Sequence, residues 1–280
     1  MKAVQQRGVA LVTVLLIMAL VMMLIVAMVR SHQLSVAALG YQTEALRAMQ
    51  LILAVERKAL LRLRGQFDES LAVIHAGQPW AQAQVLELGQ ASVHMQVEDL
   101  AGRFNLGALV RNGRVDPVLL KRWQQLCQAM GVEPPAMETL PVDTLLDISQ
   151  LRVLPGVDTA FLQRLAPWVV VLPPQAGLNI NTASARMIAM LEGLEPATAK
   201  RLVAARPEAG YASVQGFLAD PILAGGTVTG RGLAVGSRWF GLTLRTDLDG
   251  VRVQLYSEVE LDARSDRFRV MRRALSRVPR

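Results

Sequence analysis

One uninterrupted apolar run dominates the start of the chain. From Val9 to Val29 the only polar side chain is Thr13. An α-helix rises about 1.5 Å per residue, so this run reaches roughly 31 Å, which is enough to cross the hydrocarbon core of a bilayer. A cleaved secretory signal has a shorter apolar region followed by small residues. The run therefore predicts a single-pass membrane helix.

The helix is predicted to continue well beyond the apolar run, to about 55 residues. No proline occurs before Pro79, and only Gly40 interrupts a stretch rich in Ala, Leu, Glu and Arg. Spacings of four and three residues define an apolar stripe that contains Leu34, Ala38, Tyr41, Ala45, Ala48, Ile52, Val55 and Ala59. Two interpretations stay open. The stripe binds a partner, through Leu34, Ala38, Tyr41, Ala45, Ala48 and Ile52, or its C-terminal half packs on the protein's own sheet.

A period of two appears further along the chain and predicts β-strands. Val93, Met95 and Val97 alternate with polar residues. The same alternation runs through 251–261 and returns at Phe268 and Val270, and Asp249-Gly250 is suited to a hairpin turn before Val251.

The region between these two groups of strands, residues 104–235, has the pattern of short helices. Proline and glycine pairs break it repeatedly, at Pro134-Pro135, Pro155-Gly156, Pro173-Pro174 and Gly225-Gly226. The simplest topology is an α+β fold in which a large helical domain is inserted between the strands of an antiparallel sheet.

Charge and composition narrow the range of functions. The 280 residues carry a net charge of +7, but residues 99–235 carry 12 basic against 11 acidic side chains, without the basic surface of a dedicated nucleic-acid binder. Lys2 and Arg7 flank the membrane helix and place the N-terminus in the cytoplasm by the positive-inside tendency. The single cysteine, Cys127, allows no internal disulfide and is predicted to be a core residue.

No pattern predicts an enzyme. His32, His75 and His94 lack the spacing of metal ligands, and no nucleophile elbow or phosphate-binding glycine loop is present. We therefore expect no catalytic residues and no cofactor required for catalysis.

The start of the chain resembles the processing site of type IV pilin-like proteins. Gln6-Arg7-Gly8 is followed by Val9-Ala10-Leu11-Val12-Thr13. The resemblance implies that a prepilin peptidase cleaves after Gly8 and that Val9 becomes the methylated N-terminus. Most members of that group carry Glu at the fifth mature position, where this chain has Thr13. A hydroxyl cannot neutralise a buried ammonium group of a neighbouring subunit.

The chain is identified by resemblance as a member of the general secretion pathway protein K family, the large minor pseudopilins of type II secretion systems. The resemblance rests on the leader and helix, the C-terminal strands, and the passages Val97-Glu98-Asp99-Leu100-Ala101-Gly102-Arg103-Phe104-Asn105-Leu106 and Leu178-Asn179-Ile180-Asn181-Thr182-Ala183. Gly107 departs from the second Asn that the family often has.

This resemblance implies a leader (1–8), a transmembrane part (9–29) and a periplasmic part (30–64) of one helix, a pilin-like α/β domain (65–103 and 236–280) and an inserted α-helical domain (104–235). It implies a single-pass protein of the bacterial inner membrane with a periplasmic globular part, at the tip of a pseudopilus. The expected partners are two other minor pseudopilins, the major pseudopilin below, the prepilin peptidase and the inner-membrane assembly platform.

The resemblance also implies calcium, without assigning its ligands. Two acidic groups are visible, Asp247 with Asp249 and Glu258 with Glu260 and Asp262. Calcium takes six to eight oxygen ligands, which acids adjacent in sequence cannot supply.

A membrane-anchored DNA-uptake receptor is the alternative. The passage from Asn179 to Arg206 resembles a helix-hairpin-helix, and Leu154-Pro155-Gly156-Val157-Asp158 resembles a second hairpin. DNA-binding hairpins have glycine where this chain has Glu195 and Asp158, and both carboxylates would repel phosphate. We therefore expect no nucleic-acid partner, and we expect Asn179 and Asn181 to brace the turn before a helix at Ala183. An unprocessed single-pass envelope scaffold is the third possibility.

Overall fold

The computed structural model describes residues 3–67, 72–88, 91–111, 114–137, 145–248, 251–262 and 264–277. The helices are α1 (Ala3–Arg64), α2 (Pro117–Ala129), α3 (Thr159–Leu165), α4 (Ala185–Ile188), α5 (Pro196–Ala204) and α6 (Val214–Leu218). The strands are β1 (Gln84–Leu88), β2 (Ala91–Asp99), β3 (Phe104–Asn105), β4 (Val110–Arg111), β5 (Arg114–Val115), β6 (Val169–Val170), β7 (Leu178–Asn179), β8 (Leu233–Ala234), β9 (Trp239–Leu248), β10 (Val251–Asp262) and β11 (Arg267–Arg277).

The first helix is continuous, as predicted. It spans 62 residues, because its sequence contains no proline and its single glycine, Gly40, is tolerated within a helix. The stretch Leu11–Val36 has a mean hydropathy of 3.1 and is long and apolar enough to cross a membrane. All of its side chains are exposed.

Five of the strands form one antiparallel sheet, in the order β1-β2-β9-β10-β11. β1 and β2 are consecutive in the chain, as are β9, β10 and β11, and the two groups join where β2 pairs with β9 in the register Val93↔Thr246 to Asp99↔Phe240. The predicted strands around 93–97 and 251–261 are confirmed. The strand at 239–248 was not predicted. The Asp249-Gly250 turn lies outside the described residues.

Helix α1 packs its C-terminal half on one face of this sheet. Ala48, Ile52, Val55, Ala59 and Leu63 are completely buried. They share a core with alternate residues of three strands: Val93, Met95, Val97, Phe240, Leu242, Leu244, Val253, Leu255 and Val259. Small residues on the helix allow close approach to the pleated surface, and the period of two supplies a continuous apolar face.

The insertion occupies residues 100–238, between the end of β2 and the start of β9. It has its own core, in which Trp123 of α2 stacks on Phe104 with ring centroids 5.8 Å apart. Cys127 is buried in this core, and burial raises the pKa of its thiol to about 12, in agreement with the predicted structural role.

The insertion is not entirely helical, which corrects the predicted all-α character. Three short two-stranded ladders join its loops: β3 with β6, β4 with β5, and β7 with β8. Each ladder pairs only two residues per strand. Such short pairings satisfy backbone groups in loops between helices but leave no alternating pattern long enough to predict a strand.

The insertion is attached at the end of the sheet that is farthest from the apolar segment Leu11–Val36. The insertion follows Asp99, the last residue of β2, and precedes Trp239, the first residue of β9. Asp99 pairs with Phe240, the residue after Trp239. Phe240 in turn contacts Phe67, just beyond the C-terminal end of α1, with ring centroids 4.8 Å apart. The insertion therefore extends the molecule at its distal end.

Candidate assembly surface and domain junction

The apolar stripe predicted as a partner interface is divided by the structure. Leu34 is exposed, whereas the side chains of Ala38, Tyr41 and Ala45 lie outside the described residues. Ala48 and Ile52 are completely buried against the protein's own sheet. Those two residues cannot contact a partner, so their assignment to the interface was wrong. The interpretation that the C-terminal half of the stripe packs on the sheet is the correct one.

A different set of α1 residues remains available to a partner. Leu39, Leu46 and Leu53 follow one another at intervals of seven residues, and all three are exposed. With 3.6 residues per turn, they lie about two fifths of a turn away from the buried stripe. We call these three residues the leucine line. Sequence analysis missed it, although the seven-residue spacing is typical of residues that pack between neighbouring helices.

An ion pair with a buried carboxylate and a half-exposed arginine fixes α1 on the sheet, about one turn beyond Leu53. Glu56 is 1% exposed. Its carboxylate accepts hydrogen bonds from Ser257 Oγ at 2.6 Å and from Arg273 Nε at 3.0 Å. The hydrogen bond to the Glu56 carboxylate is the largest cause of the raised pKa of Arg273. Because a lateral or rotational shift of α1 would leave a buried carboxylate unpaired, this contact sets which helix face is exposed.

A second buried carboxylate joins the sheet to the insertion. Asp99 accepts hydrogen bonds from Asn179 Nδ2 at 2.7 Å, from Thr182 Oγ1 at 2.6 Å and from the Ala101 N–H at 2.9 Å. Burial raises the pKa of this carboxyl, and the hydrogen bonds, including one from Ser237, oppose that effect. Because all of these donors must reach the same buried carboxylate, the bonds to Asp99 fix the position of the sheet relative to the insertion.

Asn179 and Asn181 brace the junction, which is a larger role than the predicted one. Asn179 also donates to Ile74 O at 2.9 Å and accepts from the Asn181 N–H at 3.0 Å. Asn181 donates to Tyr211 O and accepts from the Tyr211 N–H. The helix that follows is α4, and its N-cap is Ser184, whose Oγ accepts from the Met187 N–H. The predicted helix start at Ala183 is therefore displaced by two residues.

Inside the insertion a buried arginine connects distant loops. Arg122 is almost fully buried and forms a bidentate pair with Glu192, with Nε–Oε1 at 2.7 Å and Nη2–Oε2 at 2.9 Å. It also donates to the carbonyl oxygens of Thr229 and Arg231. Burial opposes ionisation of Glu192, but the bonds from Arg122 and from the Thr229 N–H outweigh it and hold the pKa of that carboxyl below its usual value.

The two hairpins that resemble DNA-binding hairpins lack the geometry for phosphate. Asp158 is the N-cap of α3, and its Oδ1 accepts from the Phe161 N–H at 2.7 Å. Glu195 is the exposed N-cap of α5. The carboxylate of Asp158 already occupies the N-terminus of α3, and the carboxylate of Glu195 lies next to the N-terminus of α5. Both negative charges would repel an anionic ligand such as phosphate.

The acidic groups considered for calcium are engaged by arginines. Asp247 pairs with Arg252, Glu260 with Arg269 and Glu258 with Arg272. Asp262 instead accepts hydrogen bonds from the Arg264 N–H and the Ser265 hydroxyl, and Asp249 lies outside the described residues. Over the described ranges no cluster of three or more His, Cys, Asp or Glu side chains could hold a metal ion. These residues do not fit a calcium site, and calcium stays an expectation from the resemblance.

The proposed processing site lies on α1. Gly8 and Val9 are within its first turns, and their side-chain surroundings lie outside the described residues. Thr13 is exposed on the same helix. Nothing in the arrangement of these three residues tests cleavage, which stays a prediction.

Three comparisons with known proteins agree with one another. The family described as "Type II secretion system (T2SS), protein K" matches residues 178–236. Type II secretion system protein K of Pseudomonas aeruginosa is 29% identical over 96% of this chain and 92% of its own length. The protein of the same name from Klebsiella pneumoniae is 28% identical over 78% of this chain and 81% of its own.

A solved structure matches the fold. It is a chain from the GspK–GspI–GspJ complex of the enterotoxigenic Escherichia coli type 2 secretion system, with a TM-score of 0.67 and 24% identity over 84% of this chain and 98% of that chain. The resemblance stated from the sequence is thereby confirmed, as is the α+β fold. The expectation that the chain is not an enzyme is confirmed on the same grounds, since protein K of these systems is a structural pseudopilin.

Proposed function

We propose that this chain is a minor pseudopilin that forms the tip of a type II secretion pseudopilus with other minor pseudopilins and starts its assembly. The similarity to protein K along nearly the whole chain supports this role. The observation that carries the tip position is the insertion at the distal end of the sheet, next to Phe67 and Phe240.

The position of the insertion gives a reason for a terminal place in the filament. Pilin-like subunits stack along their N-terminal helices, so a subunit added above this one would have to occupy the space beyond the C-terminal end of α1. The insertion is attached at that end of the molecule, beside Phe67 and Phe240, and would occupy that space. New subunits can be added only below, where Leu11–Val36 presents an exposed apolar helix.

Thr13 supports the same direction of growth. At the fifth mature position a carboxylate would offset the charge of a neighbouring N-terminal ammonium, and the hydroxyl of Thr13 carries no charge. A buried ammonium without a counter-ion costs several kcal/mol or more. This subunit is therefore poor at docking beneath another one, as expected for the first subunit rather than a repeating one.

The partners of the tip would be other minor pseudopilins, bound through the leucine line. The related chain was solved in a complex with two further proteins, and helices of pilin-like subunits pack side by side. Leu39, Leu46 and Leu53 are the exposed apolar residues with the spacing that such packing requires. The Ala48 and Ile52 face is occupied by the protein's own sheet.

The first experiment tests this interface in the full chain, extracted from membranes that contain the other minor pseudopilins. Leu46 is 60% exposed and Leu61, which lies off the leucine line on the same helix, is 78% exposed. We expect Leu46→Arg to abolish co-purification of the partner subunits and Leu61→Arg to retain it. If both variants retained the partner subunits to the same extent, the leucine line would be excluded as the interface.

The second experiment tests processing and localisation. We expect the chain to lie in the inner membrane with a cytoplasmic N-terminus and a periplasmic globular part. Mass spectrometry of protein from membranes with the prepilin peptidase should show a mature chain that starts at methylated Val9. Protein that retains residues 1–8 in those membranes would contradict the pilin-like assignment and favour an ordinary anchored scaffold.

The DNA-receptor alternative is tested by filter binding at low salt. Because Asp158 and Glu195 stand at the two hairpins, we expect no salt-sensitive DNA binding at micromolar protein. Such binding would restore the alternative.

A further inference from the structure

A groove separates the insertion from the edge of the sheet. Its volume is about 570 Å³. Leu146 and Pro173 line it from the insertion, Trp239 from the first residue of β9, and Met271 from β11. Most of its walls are apolar side chains, and Leu146 is 82% exposed. Large apolar side chains in an open concave surface are typical of binding sites.

The groove lies beside β11, an edge strand of the sheet. In the described part of the chain β11 is the last strand of the sheet, paired only with β10. The register between these strands shifts between Glu258 and Val259, which leaves Met271 opposite no residue of β10. A free strand edge offers backbone N–H and C=O groups to an added strand.

One hydrogen-bond donor at the groove has no acceptor. The indole N–H of Trp239 is buried without a hydrogen-bond partner among the residues that the structure describes. A buried donor without an acceptor is unfavourable, so the Trp239 ring is a wall of the groove that no hydrogen bond of its own holds in place.

The charged end of the groove is acidic overall. Arg272 pairs with both Asp147 and Glu258, at 2.5 Å from the latter. Beside it Arg103 pairs with Glu98 at 2.5 Å, and Tyr256 donates to the same carboxylate at 3.3 Å. Three carboxylates thus share two guanidinium groups. Burial raises the pKa of Glu258, and the nearby Glu98 adds to the effect against the opposing influence of Arg103.

We propose that this groove binds an extended segment of another protein, which pairs with the free edge of β11, inserts one large apolar side chain and places a lysine or arginine beside Asp147 and Glu258. Each feature accounts for one part of the ligand. The strand edge binds backbone, the apolar walls bind the side chain, and the unbalanced carboxylates bind the cation. The site is independent of the leucine line and does not rest on the tip position.

The test uses the full chain in detergent micelles and a fluorescein-labelled synthetic peptide of about eight residues. The peptide alternates threonine and valine and carries leucine next to lysine at its centre. Fluorescence anisotropy should show saturable binding, and replacement of the peptide's lysine by glutamate should weaken it about tenfold or more. No saturable binding at millimolar protein would overturn the proposal.

Two matched variants locate the site. Leu146 lines the groove, whereas Val153 does not and is comparably exposed at 75%. We expect Leu146→Arg to weaken binding about tenfold or more and Val153→Arg to leave it unchanged. Equal effects of Leu146→Arg and Val153→Arg would overturn the proposal.

A second copy of the chain is the competing occupant. Sedimentation of the micelle-bound protein distinguishes it: self-association that is lost in Leu146→Arg would assign the groove to a dimer contact and contradict the proposal. A monomer that binds the lysine-containing peptide supports it.

Discussion

Asn179 donates its side-chain N–H to a carboxylate oxygen of Asp99 across 2.7 Å, although 80 residues separate them in the chain. Asp99 ends β2 and Asn179 ends β7, so this one bond joins the pilin-like sheet to the insertion. The contact sets how the insertion stands at the distal end of the molecule. It therefore contributes to the geometry on which the proposed tip position depends.

Replacing Asp99 with Asn should destabilise this junction. Both carboxylate oxygens of Asp99 accept hydrogen bonds, one from the Ala101 N–H and the other from Asn179 and Thr182. An amide has one acceptor and would turn its NH₂ toward a donor. We expect a loss of about 1–3 kcal/mol in the free energy of unfolding, measured by urea titration.

The control for that junction is Asp247→Asn, in an ion pair whose side chains are both about half exposed. Solvent screens such a pair, so the expected loss is below about 0.5 kcal/mol. Equal losses for the two variants would mean that the Asp99 bonds contribute no more than a surface ion pair.

The two faces of α1 should respond differently to arginine. Ala48 is buried against the sheet and Leu46 is exposed. Ala48→Arg would force a charged side chain into an apolar core and should lower the stability of the chain itself by more than about 3 kcal/mol. Leu46→Arg should change it by less than about 0.5 kcal/mol. Thermal unfolding followed by circular dichroism measures both, and a stable Ala48→Arg variant would contradict the burial of that face.

Gly107 should not tolerate a side chain. A Cβ at this position would lie 2.1 Å from the carbonyl oxygen of Leu172, which is backbone and cannot move aside cheaply. We expect Gly107→Ala to reduce the free energy of unfolding by about 1–3 kcal/mol. The matched variant is Gly40→Ala, where the added methyl meets nothing within 4 Å in a helix; it should stabilise α1 by about 0.5–1 kcal/mol. If both variants shifted the urea midpoint of unfolding in the same direction, the result would contradict the close approach of Gly107 to the Leu172 carbonyl oxygen.

Stability of the insertion should fall in acid. The pKa of Glu192 is lowered in the folded state. At a pH near and below the usual carboxyl value, the unfolded chain therefore binds more protons than the folded one. The stability that the ionised Glu192 contributes is present above the usual carboxyl pKa and is lost as the pH falls through the pKa of Glu192 in the folded state. Thermal midpoints from pH 7 to pH 3, read from tryptophan fluorescence, should decline.

The matched variants separate this carboxylate from the others. Glu192→Gln should lower the midpoint at pH 7, because Arg122 loses its ionised partner, and should show a shallower decline in acid. Glu195→Gln, at an exposed helix cap whose side chain forms no capping hydrogen bond, should follow the unmodified chain. If the thermal midpoints of the unmodified chain and of Glu192→Gln fell in parallel with decreasing pH, the pair of Arg122 with Glu192 would not be the cause of the loss of stability in acid.

Local patterns in the sequence determined a large part of the fold. The apolar run from Val9 to Val29 and the absence of proline before Pro79 specify a long helix, because helix formation depends on neighbouring residues. Alternation at Val93, Met95 and Val97 specifies a strand with one buried face. The breaks between 104 and 235 indicate short helices in an insertion. Each of these signals is contained within a few turns or residues.

Contacts between distant residues decided the rest. The spacing of Ala48 and Ile52 is equally suited to a partner and to the protein's own sheet. Contacts with distant strands, among them the pairing of Glu56 with Ser257 and Arg273, decide which face of α1 is buried. The leucine line is exposed for the same reason. In the sequence Asp99 is one acid within the passage from Val97 to Leu106, and only the folded chain places Asn179 beside it.

The sequence by itself determined which elements form, the membrane anchor and the resemblance to protein K, because periodicity, chain length and short motifs are local properties. The tertiary structure alone decided which face of α1 is free, where the insertion is attached and where a groove opens beside β11. Those features depend on pairs such as Asp99 with Asn179 and Arg272 with Asp147, whose members are far apart in the chain and leave no mark in its local pattern.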